Sequence, residues 1–130
     1  MTSQLPELAK TLLDADTYVT LTTIAKDGFP HATTMWVTRD GDDLIFSTVV
    51  GRAKELHLRT NDRVGVAFFH PDEPYRAVSI RGAATVTPEG GAELIQELSR
   101  KYGNGPYTAD EGTGNVRVVV RVTPTTVHTR

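Results

Sequence analysis

The sequence predicts a mainly β protein: a small barrel of six or so antiparallel strands with peripheral helices. Three observations carry this. Thr and Val occur 19 and 14 times in 130 residues, a quarter of the chain, and their branched β-carbons suit a pleated surface better than a helix. Alternating apolar and polar segments recur along the chain, and two of their connections, Asp27-Gly28 and Asp40-Gly41, supply the positive φ that a tight hairpin needs. A short sheet of this many strands curls, because closure removes its exposed edges.

The first element is the exception. Leu5, Leu8, Ala9, Leu12 and Leu13 share one helical stripe, with Ser3 available as a cap and Pro6 tolerated in the first turn, so residues 4–14 are predicted as a helix. Strands over 18–25, 31–38 and 44–48 then form a meander through the two Asp-Gly turns. Residues 51–60 break the alternation and offer good helix formers, stopped by Asn61-Asp62. Strands over 63–70 and 75–86 follow, separated by Pro71 and Pro74, which cannot donate to a ladder. Thr87-Pro88-Glu89 reads as a cap, a first-turn proline and a first-turn acid, and predicts a helix over 88–102 with Leu94, Ile95, Leu98 and Tyr102 on one face. Residues 103–115 are Gly-rich and read as a surface loop. Strands over 116–122, where Arg117 and Arg121 interrupt the valines, and 125–129 close the sheet.

Composition narrows the function. A chain of this length suits one domain, residues 1–130, whose core can bury roughly two thirds of the unfolded surface without metal or disulfide. The absence of cysteine excludes a disulfide framework, thiolate metal sites and thiol catalysis. A net charge of −2 with mixed signs argues against a nucleic-acid surface, which would show a basic stripe. Apolar runs of about four residues are too short to span a membrane, and Met1 opens a polar segment without a leader pattern, so the expectation is a soluble, cytoplasmic protein. His31, His57, His70 and His128 lack the close spacing of metal ligands, so no metal site is expected. No Ser-His-Asp order or Gly-x-Ser-x-Gly elbow supports hydrolysis.

The window from Phe46 to Lys54 carries most chemistry. Ser47 and Thr48 end a strand, Gly51 lets backbone approach closely, and Arg52 and Lys54 stand in the first turn of a helix. Such a spot suits a phosphate, held by hydroxyls, backbone N–H groups and a bidentate guanidinium. The same residues also suit a solvated helix face after ordinary turn chemistry, and on the residues alone that plainer reading leads.

The series Gly28-Phe29-Pro30-His31 through Met35-Trp36, Leu44-Ile45-Phe46-Ser47-Thr48, Gly51-Arg52-Ala53-Lys54 through Leu58, Asn61-Asp62-Arg63-Val64 and Arg81-Gly82-Ala83-Ala84 resembles the pyridoxamine 5′-phosphate oxidase-like split β-barrel superfamily, the FMN-binding-like fold. The N-terminal helix, Met35-Trp36 and Leu98-Ser99-Arg100-Lys101-Tyr102-Gly103 resemble its flavin/deazaflavin branch, which uses coenzyme F-420. The resemblance implies a homodimer with the cofactor in a groove between subunits. It implies a phosphate on Ser47, Thr48, Gly51, Arg52 and Lys54, a ring bordered by Thr34, Met35 and Trp36, and Tyr75 reaching the partner subunit's cofactor. Trp36 read by itself is more often a core residue, and only the resemblance brings the cofactor reading level with it. The implied activity is an F-420-dependent reductase acting on a small organic substrate, with FMN as the alternative cofactor and a non-catalytic flavin- or deazaflavin-binding protein as the alternative role. No catalytic side chain is assigned, because the cofactor performs the redox chemistry. Vitamin-B6 oxidase activity is not expected, because the chain stops at Val127-His128-Thr129-Arg130 without the longer C-terminal signature.

Overall fold

The computed structural model describes residues 2–130. Its seven strands form one antiparallel sheet in the order β2-β1-β5-β6-β7-β4-β3. The strand expected over 31–38 is broken, and this break organises the molecule. β2 (Pro30–Met35) closes a hairpin with β1 (Val19–Ile24), whereas β3 (Thr38–Asp40) closes one with β4 (Asp43–Val49). Gly28 and Gly41 turn these hairpins at φ 90° and 61°, as the Asp-Gly pairs predict. The expected meander does not form, because β2 and β3 lie at opposite edges of the sheet. In a flat sheet those edges would stand roughly 29 Å apart at about 4.8 Å per strand. The chain from Met35 to Thr38 can span only about 11 Å. The sheet must therefore curl until its edges meet, a barrel split at Trp36-Val37.

Two other strand expectations change for local reasons. The closing strand is continuous, β7 (Arg117–Thr129), because Pro124 sits at a bulge where its missing N–H costs no ladder bond. β6 (Glu73–Thr87) begins before Tyr75, and its register against β5 (Arg63–His70) slips at Phe69/His70, leaving Pro74 outside the regular ladder.

The helices are shorter than predicted at their starts. α1 (Glu7–Asp14) begins after Pro6 rather than at residue 4, since Ser3 does not cap it. Ser3 instead binds β7 through its N–H to the Pro124 carbonyl (2.9 Å) and its Oγ to the Thr125 carbonyl (2.8 Å). α2 (Ala53–Leu58) is a turn and a half after Gly51. α3 (Gly91–Lys101) begins three residues after Pro88, behind Gly90 at φ 83°. Gly91 presses on β7 so closely that a Cβ would lie 2.1 Å from the Arg117 carbonyl oxygen, and this approach sets where the helix starts.

Packing follows the curl. Leu21, Leu44, Phe46, Val66, Ile80, Val120 and Val122 fill the barrel, and Ala9, Leu12 and Leu13 of α1 join them. A second, small cluster, Ile45 with Leu94, Leu98 and Tyr102, seats α3 on the outside of β4, with Trp36 and Val119 packed against it. No helix among the described residues is long and apolar enough to cross a membrane.

Candidate functional site

Where the barrel splits, the end of β2, the end of β4, the start of α2 and the inner face of α3 border an open cavity of about 350 Å³. That volume lies in the range of small-molecule pockets. Seven sequence-predicted residues line it: Thr34, Met35, Trp36, Ser47, Thr48, Arg52 and Lys54. Their convergence has a structural cause. β4 is covered on both faces, by the barrel interior and by α3, so alternate side chains at its end are both held, Ser47 on the Ile45 side and Thr48 on the Phe46 side. Both are buried, at 7% and 3% exposure.

The turn after β4 delivers the cations. Gly51, at φ 91°, donates its N–H to Glu55 Oε1 (2.8 Å), and Glu55 in turn pairs with Arg59 (2.6 Å). This internal lock holds the α2 entrance, and it leaves the Gly51 amide engaged within the chain. Arg52 and Lys54 project from the locked turn, and among the described residues neither has an acidic partner. Burial, then the Arg52 charge, push the Lys54 ammonium below the usual lysine range. Two crowded positive charges beside the buried end of β4 form an anion-demanding end, while Met35, Trp36, Ile95 and Leu98 supply an apolar wall and Tyr18, Thr34, Tyr107 and Arg117 add polar groups.

Gly51 and Tyr75 do not line this cavity. Gly51 acts through the turn, and Tyr75 stands 82% exposed at the start of β6. Tyr18, Ile95, Leu98, Tyr107 and Arg117 line it without having been singled out. Ile95 and Leu98 belong to a face that reads as core, and Tyr107 belongs to the loop. Arg117 left a trace as a charge inside a valine run. Its guanidinium, 8% exposed, donates to Asp110 (2.8 Å) and to Tyr107 Oη (2.8 Å), and reaches Ser47 Oγ at 3.4 Å. Gln96 grips the Tyr107 backbone from both sides at 2.9 Å, and Ser99 Oγ donates to the Gly105 carbonyl at 2.7 Å. The Gly-rich segment is thus docked against α3 and β7 as a wall of the cavity.

Folding also brings together His31 and His57, with ring centroids 5.3 Å apart, and His57 Nδ1 lies 2.8 Å from Thr23 Oγ1. No third potential metal ligand of the His, Cys or acidic type joins them among the described residues.

The pyridoxamine 5′-phosphate oxidase family model matches residues 5–130. A solved F-420 reductase is 30% identical, with TM-score 0.84 over 95% of this chain and 98% of its own. A conserved hypothetical protein from Mycobacterium tuberculosis is 25% identical, with TM-score 0.77 over 98% of this chain and 85% of its own. A Listeria innocua structure, 21% identical with TM-score 0.74 over 95% of each chain, shares the fold. No curated protein matches the sequence. The split barrel, the order of its motifs and a match over nearly the whole length agree, and the chain belongs to the pyridoxamine 5′-phosphate oxidase family.

Proposed function

We propose that the protein is an F-420-dependent reductase that binds the coenzyme's phosphate at the Arg52–Lys54 end of the cavity and acts on a small organic substrate. The observation that carries this reading is the pair of unpaired cations beside Ser47 and Thr48, opposite an apolar wall containing Trp36. When bound, the deazaflavin supplies a hydride. The chain's own residues bind, orient and dry the site. Arg52 offers a planar fork for two phosphate oxygens, Lys54 a point charge and the hydroxyls single donors. Met35 and Trp36 give a flat apolar surface, and Ile95 and Leu98 keep water from it.

FMN also presents a phosphate, so a phosphate-binding end does not by itself separate the two cofactors. The preference for F-420 rests on the 30% identity with the F-420 reductase. The reading includes a cytoplasmic homodimer, in which Tyr75 is available to a second copy, and Gly51 shapes the phosphate turn. Separate titrations of the purified protein with F-420 and with FMN test it, followed by mixing reduced F-420 with a panel of activated alkenes, quinones and nitroaromatics. Tight F-420 binding with oxidation by at least one acceptor is expected. FMN binding without F-420 binding would move the assignment to an FMN oxidoreductase, and binding without turnover to a carrier. Failure to bind either would overturn it.

A further inference from the structure

The break between β2 and β3 leaves Val37 with a buried backbone, its side chain fully shielded, outside every strand ladder. Buried backbone groups need partners. Two side chains from the end of α3 supply them. Tyr102 Oη accepts the Val37 N–H at 3.1 Å and donates to the Thr17 carbonyl at 2.6 Å. Lys101 Nζ donates to the Val37 carbonyl at 2.6 Å and also to the Leu13 carbonyl at the end of α1. The Tyr102 ring meanwhile stacks on Trp36, with centroids 5.4 Å apart and planes 16° from parallel, and lies 5.3 Å from Tyr18 at a tilt of 59°. Trp36 and Tyr18 both line the cavity, whereas Tyr102 does not.

We infer that Lys101 and Tyr102 are positioning residues: they lock the barrel's seam at Val37 and thereby set the aromatic wall, Trp36 and Tyr18, against which a planar ring would rest. Lys101 and Tyr102 touch no ligand in this assignment. They act through Val37 and through the stack, so they bear on recognition of the ring and leave the phosphate end, Arg52 and Lys54, alone. The ring in question rests on the proposed flavin or deazaflavin function, but the lock itself does not.

Trp36 is the sole tryptophan of the chain, so intrinsic fluorescence reports this wall directly. Tyr102→Phe keeps the stacking ring and removes the hydroxyl bridge, and Lys101→Met removes the second tie. Leu94→Ala, in the same small cluster but without a bond to Val37, is the control for loosened α3 packing. The lock predicts that acrylamide quenching of Trp36 rises about twofold in Tyr102→Phe and in Lys101→Met, with lower anisotropy, as expected for a released local segment. Leu94→Ala, whose cluster Trp36 also rests against, should raise quenching by less than either lock variant despite its lower Tm. A second arm measures FMN affinity and, by competition or directly, inorganic phosphate affinity. FMN binding should weaken about tenfold in Tyr102→Phe with phosphate binding unchanged, the pattern of a lost ring contact. If the parent binds neither FMN nor F-420, the proposed function fails and the quenching arm still decides the lock. Parent-like quenching and anisotropy in both variants, or an equal change in Leu94→Ala, would overturn it.

Discussion

Lys54 is half-buried and Arg52 exposed, and among the described residues neither forms an ion pair, Asp110 acting on Arg52 only across space, so an anion there gains what the free protein lacks. Arg52→Ala and Lys54→Ala should each weaken binding of F-420 or FMN by ten- to a hundredfold, about 1.5–3 kcal/mol for a charged hydrogen bond. Folding should be nearly unaffected, and Lys26→Ala, an exposed lysine elsewhere, serves as control. Arg59→Ala would be a poor control, because Arg59 holds the carboxylate of Glu55 that fixes the Gly51 turn. Burial and Arg52 lower the Lys54 pKa, so Lys54 loses its proton at lower pH than a free lysine. Calorimetry across an alkaline series should show phosphate affinity falling as pH rises through that lowered value, with the fall absent in Lys54→Ala. Carboxylates behave in the opposite sense. The Arg59 hydrogen bond, then the Gly51 amide, hold Glu55 below its ordinary 4.5. The Arg117 hydrogen bond, then Asn115, hold Asp110 below its ordinary 3.8. Both groups stabilise the fold fully above those ordinary values, and the contribution is lost as pH falls through the depressed ones. Urea midpoints should therefore drop below about pH 4.5, and less steeply in Asp110→Asn. The residue types at this site were legible in the window from Phe46 to Lys54. Arg117 and Tyr107 were not, because no local pattern links a loop tyrosine to a strand arginine ten residues on.

At the level of elements, the joints where one backbone crosses another are the sensitive points. Gly91→Ala would place a methyl 2.1 Å from the Arg117 carbonyl oxygen, so α3 must shift away from β7. Such overpacking typically costs about 1–3 kcal/mol, which a thermal melt would read as a drop of several degrees. Gly105→Ala, with open space around its Cβ direction and no positive φ, should be neutral or slightly stabilising. The difference between these two glycines is invisible in sequence, where both sit beside helix signals. Hairpins fared better: Asp27-Gly28 and Asp40-Gly41 turn where expected because their φ requirement is local. Helix starts fared worse. Ser3 had the chemistry of a cap, yet β7 offered its carbonyls and won the serine.

For the molecule as a whole, the outer face of β1, β5 and β6 carries small side chains, Thr20, Ala67, Ala77 and Ser79 among them, beside exposed Phe69. A homodimer covering about 1,200 Å² or more would use such a face, and light scattering at micromolar concentration should report twice the monomer mass. A monomer would count against the dimer and leave the cavity assignment standing. What the sequence determined by itself was what nearest neighbours control: β-branched strands, Asp-Gly turns, the apolar face of α3 and a run of hydroxyls and cations suited to a phosphate. Only the tertiary structure decided that 31–38 is two strands rather than one. Alternation cannot show at which edge of a sheet a strand will pair, and three Cα steps between distant edges make sense only once the sheet has curled. The same closure brought Tyr18, Tyr102, Tyr107 and Arg117 to residues far away in the chain. That meeting depends on long-range packing, for which a single sequence carries no local signal.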